Sequence, residues 1–84
     1  MMTGPVRVLC TIEDGLIPSE RIVRVQGADG RVEEVSVSSR NVHNDRLDVF
    51  AIGADEGRVL LELPRESASG RWRVWVENTL VTAG

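Results

Sequence analysis

The sequence has no lysine and no tyrosine, one cysteine (Cys10), one histidine (His43) and only three aromatic residues, Phe50, Trp72 and Trp75. A lone cysteine excludes an internal disulfide, and with it the cross-linked framework of a small secreted domain. One histidine with no thiol beside it fits no zinc-ligand spacing, and no calcium-binding loop is present, so no metal and no cofactor is expected. Three rings are too few for an aromatic cage around a methylated cation, or for the many-walled groove that takes a proline-rich peptide. No apolar run approaches the ~20 residues of a membrane span. Met1-Met2-Thr3-Gly4-Pro5 has no basic segment followed by an apolar one, so no signal peptide is read there and the cytoplasm is the expected location.

The 84 residues are expected to form one domain, residues 1–84. At ~0.05–0.15 kcal/mol per residue its stability would be about 4–12 kcal/mol. The net charge of −3 gives no global attraction to nucleic acid. All ten basic residues are arginine, a bias that GC-rich coding produces and that also suits bidentate or stacked contacts.

Apolar and polar residues alternate along most of the chain, which is the period of a half-buried strand. Val6, Val8, Cys10 and Ile12 share one phase. Val23 and Val25 repeat it, and Gly27-Ala28-Asp29-Gly30 reads as a tight turn. The phase slips between Val32 and Val35, which predicts a β-bulge at Glu33-Glu34. Ser38 to Arg46 reads as a polar loop. Leu47 to Ile52 is apolar on both phases except at Asp48, as a central strand would be. Gly53 to Gly57 is a turn, Val59, Leu61 and Leu63 alternate, Pro64 to Gly70 is a hairpin loop, and Trp72, Val74 and Val76 give a last clear strand. Asn78-Thr79-Leu80 reads as a tight turn before a short strand at Val81.

The chain is therefore read as all-β. The hairpin around Pro64–Gly70, the strand Arg71–Glu77, the turn Asn78–Leu80 and the short exit strand resemble the layout of an SH3-like barrel. The expectation is a small closed barrel of five to six short antiparallel strands, since closure removes exposed edges. An OB-like barrel is the alternative and would need a helix in Ser38–Arg46. The echo between Gly27-Ala28-Asp29-Gly30-Arg31-Val32 and Gly53-Ala54-Asp55-Glu56-Gly57-Arg58-Val59 is assigned to recurrent turn chemistry rather than to duplication.

Trp75 falls in the outward phase beside Arg71 and Arg73. An exposed Trp flanked by Arg is an interface anchor or a stacking platform for a base, whereas the same ring under a loop is structural. The neighbouring strand adds Arg58 and Leu60 to that face. Trp72 and Phe50 are expected in the core. Leu16 and Ile17 are expected to plug one end of the barrel, although exposed they would form an acidic-rimmed contact patch. His43, with Asn41, Asn44 and Asp45, reads as a polar loop held by local turn bonds. Ser36, Ser38 and Ser39 have no nucleophile elbow or oxyanion device near them, and Cys10 reads as an inert buried thiol. These readings predict a non-enzymatic interaction module or assembly subunit whose partner is another protein or itself. A single-stranded nucleic-acid binder is the alternative, opposed by the acidic charge. A structural homo-oligomer using Leu9, Leu60 and Val42 is a third.

Overall fold

A β-branched side chain has few comfortable rotamers and packs well on a pleated surface, so alternating valines favour strands. In the computed structural model, which describes residues 3–84, they give nine strands: β1 (Gly4–Leu9), β2 (Thr11–Asp14), β3 (Glu20–Gln26), β4 (Val32–Ser38), β5 (Val42–His43), β6 (Arg46–Asp55), β7 (Arg58–Glu62), β8 (Arg73–Glu77) and β9 (Val81–Ala83). Two 3-10 turns, Ser39–Asn41 and Asn78–Leu80, precede β5 and β9. No helix among these residues is long and apolar enough to cross a membrane.

The strands form two antiparallel sheets. One has the order β8-β7-β6-β1-β9, with β5 also on β6; the other is β2-β3-β4. Neither closes into the expected barrel. Where a strand ladder would complete the wall, single loop bonds stand instead: Ala28 N–H donates to the Trp75 carbonyl and Ala68 N–H to the Glu34 carbonyl. The inner faces share one core of valines with Leu47, Leu61, Leu63 and Ala51. That core contains no aromatic ring.

The chain is built from two structurally equivalent halves. Val8 pairs with Val81 of β9, and Leu47 pairs with Val42 of β5, so a shift of 39 positions carries the first pair's Val8 onto Leu47 and the second pair's Val42 onto Val81. Val8 and Leu47 themselves face each other in the β1–β6 ladder. With one residue fewer ahead of β7, the correspondence carries Ile12–Val23 onto Ala51–Leu61 and Glu20–Ser38 onto Arg58–Glu77, at a shift of 39 for Ile12 and Ser38 and of 38 for Val23 and Glu20. The caps of the two 3-10 turns agree in backbone angles, Ser38 (φ −63, ψ 139) with Glu77 (φ −65, ψ 137). The loops match too. Gly27 N–H donates to Arg31 O and Ser67 N–H to Arg71 O, while Gly30 and Gly70 both take φ +86, a left-handed conformation suited to glycine. Each half lends its final short strand to the first strand of the other, β5 to β6 and β9 to β1. The sequence echo noted above joins non-equivalent turns and is turn chemistry; the structural correspondence of the halves lies in another register.

Three further expectations are corrected. β4 pairs with β3 without a slip, from Gln26–Val32 to Glu20–Ser38, so the inward set is Glu33, Val35 and Val37 and Val32 is exposed. The register shift occurs in β6 between Ala51 and Gly53. Ser38–Arg46 is more than a loop: it holds a 3-10 turn and β5, which returns to β6 through Asn44-Asp45 with Asn44 at φ +57. Leu16 plugs nothing, being 97% exposed at the tip of the β2–β3 connection, with Ile17 about half exposed beside it.

Leu47 lies fully buried at the centre of the two-fold arrangement. Leu47→Ala should therefore cost about 2–5 kcal/mol in urea unfolding, against less than about 0.5 kcal/mol for the surface change Ser36→Ala. Similar costs for the two would contradict the assigned core.

Candidate interaction surface

In the larger sheet, Leu47, Val49 and Ala51 of β6, Val59 and Leu61 of β7, and Val74 and Val76 of β8 point into the core. The residues between them must face out. Two cross-strand rows result, Pro5–Phe50–Glu62–Arg73 and Gly53–Leu60–Trp75. The extra residue of the β6 bulge is Ile52, which is also exposed.

All three aromatic rings are on the surface: Phe50 is 51% exposed, Trp72 51% and Trp75 40%. Two of these positions overturn the core assignment made from the pattern. Phe50 faces outward because its neighbours Val49 and Ala51 take the inner face, a choice that a strand apolar on both phases leaves open. Trp72 has inward parity but precedes β8, where the chain leaves the sheet; its carbonyl accepts from Leu63 N–H. Trp72 and Phe50 line one groove of about 620 Å³ with Pro5, Leu63, Pro64 and Glu62.

The five residues singled out from the sequence are brought together in part. Leu60 and Trp75 are direct cross-strand neighbours, and Arg73 shares their face. Arg58, Arg71, Arg73 and Trp75 line a second cleft of about 360 Å³, with Asp29, Asp55 and Glu56 on its walls. Arg71 lies before β8 and reaches across to the β3–β4 hairpin. Each arginine has a carboxylate within the chain: Arg73 with Glu62 at 3.4 Å, Arg58 with Glu77 at 3.5 Å, and Arg71 with both Asp29 and Glu33 at 3.9 Å. The cleft is therefore not a basic groove.

The two halves supply an internal comparison. The rows equivalent to those above are Thr11–Arg24–Glu34 and Glu13–Ile22–Ser36 on the outer face of the smaller sheet. Phe50 thus corresponds to Thr11, Trp75 to Ser36 and Leu60 to Ile22. There the face is a solvated ion ladder, with Arg24 at 2.7 Å from Glu13 and 3.1 Å from Glu34. Equivalent strand positions do not call for rings here.

Sequence patterning missed Glu33, which corresponds to Trp72 and is 2% exposed. It occupies an inward position, where a carboxylate persists only if hydrogen-bonded. Ser67 and Ser69 hydroxyls donate to it at 2.7 and 2.6 Å. Burial pushes its pKa up, but the Ser69 and Ser67 hydroxyls and the Arg71 charge outweigh burial, and the carboxyl ends below its ordinary value. Glu33 thereby ties the β7–β8 loop, which leads into Trp72, to β4. On the rim of the aromatic groove Asp48 behaves alike. Burial opposes its charge, while His43 Nε2 at 2.9 Å and Arg7 Nε at 3.0 Å prevail and lower its pKa. His43 is thus held by Asp48 rather than by turn bonds. Cys10, between β1 and β2, is half-buried, and its thiol is pushed up to about 11 by burial and by Asp45, against Arg46. It is a poor nucleophile near neutral pH. No group of residues able to hold a metal ion occurs among the described residues.

Compared with known proteins, the chain matches no family model, no curated protein and no solved structure.

A carboxyl whose folded pKa is depressed stabilises the fold fully above its ordinary value, here 4.5, and loses that contribution as pH falls through the folded value. Glu33→Gln should lower stability at pH 7 and approach wild type as pH drops toward about 3. Urea unfolding at several pH values reads this, and parallel curves for the two proteins would show that Glu33 contributes no such linkage.

Proposed function

We propose that the chain is a non-enzymatic interaction module, or a subunit of an assembly, that binds protein through the outer face of β6, β7 and β8. One observation carries the reading: all three rings lie on the surface at this side of the molecule, while the equivalent face of the other half has no ring and presents Thr11, Ile22, Ser36 and an ion ladder. A large exposed apolar patch is the informative exception on a protein surface, and aromatic residues are enriched at interface hot spots. Leu60 and Trp75 form one part of the contact, and Phe50, Trp72, Pro5 and Ile52 the other. Arg58, Arg71 and Arg73 form its polar rim.

Single-stranded nucleic acid is the competing partner, favoured by Trp75 beside Arg71 and Arg73. Phosphate binding draws on unpaired cations, and these arginines are engaged by Glu62, Glu77, Asp29 and Glu33. The protein partner is therefore preferred. The succession of β7, β8, a 3-10 turn and β9 supports an SH3-like reading of this part of the chain, and such a likeness does not choose a partner. A cytoplasmic setting belongs to the same proposal, since a lone thiol suits a reducing compartment.

The test is photo-crosslinking in cells, with benzoylphenylalanine replacing Phe50 or its counterpart Thr11. Protein adducts should form at position 50 and be scarce at position 11. Equal yields at both, or none at 50, would sink the reading, and nuclease-sensitive adducts would transfer it to nucleic acid.

A further inference from the structure

Resting on that reading, we propose that the occupant of the aromatic face is the same face of a second copy, in a two-fold dimer. The face carries two separate apolar features, an exposed ring and a groove. Trp75, 40% exposed at the edge of the smaller cleft, pairs with Leu60 across β8 and β7; the groove of Pro5, Phe50, Pro64 and Trp72 lies toward β6 and β1. The two features sit about two strand spacings apart, roughly 10 Å. A two-fold axis between them seats each Trp75 in the partner's groove, because an isologous contact makes residue i meet j and j meet i. At about 620 Å³ the groove has room for an indole.

Charge favours a copy of the same chain over a charged partner. Three ion pairs on this face are matched inside it, Arg7 with Asp48 at 3.0 Å, Arg73 with Glu62 at 3.4 Å and Arg58 with Glu77 at 3.5 Å, with Asp55 and Glu56 at the β6–β7 turn on its edge. Laying these three neutral pairs on themselves brings no excess of either sign to the centre of the contact. A strongly acidic or basic partner finds no complementary field. The area is that of a weak, reversible dimer. Each ring leaves roughly half of a ~150–250 Å² side chain in water, so two copies cover on the order of 500–600 Å² from six rings alone. Pro5, Ile52, Leu60 and the arginine stems carry the total toward the ~1,200 Å² at which specific interfaces begin.

Sedimentation equilibrium of the purified full chain tests this. Wild type should move from one to two chain masses with rising concentration. Phe50→Arg and Trp75→Arg should each weaken the dimer about 100-fold, as loss of a hot-spot ring does, and Thr11→Arg should leave it unchanged. All three positions face solvent, and circular dichroism checks that the fold is kept. Should an arginine variant not fold, tryptophan emission of wild type serves in its place: it should shift to the blue over the same concentration range, and a constant emission overturns the proposal. A wild type that stays monomeric at about 1 mM, or a dimer indifferent to both ring variants, also overturns it. Monomeric protein with protein adducts at position 50 in cells rejects the dimer and leaves the interaction module standing; the loss of those adducts rejects both.

Discussion

Val8 and Leu47 face each other in the β1–β6 ladder, and the other strands take their places from that pair. Because the two residues are equivalent, one antiparallel pairing joins the halves about a local two-fold axis. From there β9 is received by β1 and β5 by β6, and each hairpin loop reaches the last meander strand of the other half. A chain this short buries only about 60% of the surface its unfolded form exposes. Shared strands and a common core bind the two halves, neither of which has a separate interior.

That core is filled by valine, leucine and alanine. Valines on facing strands pack with little rotamer loss, so the fold needs no ring to fill it. The aromatic residues are free to lie outside, and they do so on one half only. Where the smaller sheet has Thr11, Ser36 and the Glu13–Arg24–Glu34 ladder, the larger has Phe50 and Trp75 among the separate pairs Glu62–Arg73, Arg58–Glu77 and Arg7–Asp48. The halves share a scaffold and differ in the character of the outer face. Glu33 extends the contrast, being a buried carboxylate that holds a loop at the position where the other half presents Trp72.

The strands were legible in the sequence because period-2 alternation is a strong signal. The β7–β8 hairpin, the turn at Asn78–Leu80 and the exit strand at Val81 stand where the pattern puts them. Leu60, Arg73 and Trp75 were placed on one face by phase alone, and the register bears this out. Phase failed where it carried no information. Phe50 lies in a strand apolar on both sides, so its direction rests on which neighbours win the core. Trp72 lies one residue before a strand begins, where parity no longer governs burial. Val32 and Glu33 misled because hydrophobicity favours burying valine, whereas the unbroken ladder buries the glutamate and satisfies it with two serines from a distant loop. Closure was overestimated because local pattern does not reveal whether two edges meet. The two-fold correspondence was hidden because the equivalent positions share backbone geometry and few side chains.

The central claim is that the rings are surface groups of the folded chain. Acrylamide quenching of tryptophan fluorescence, on folded Trp72→Phe and Trp75→Phe proteins diluted to nanomolar concentration, tests it most directly. The account predicts that the remaining indole in each is readily quenched and emits near the wavelength of a hydrated ring. A blue-shifted, quencher-resistant indole in either folded monomer would place that ring in the core and contradict the account.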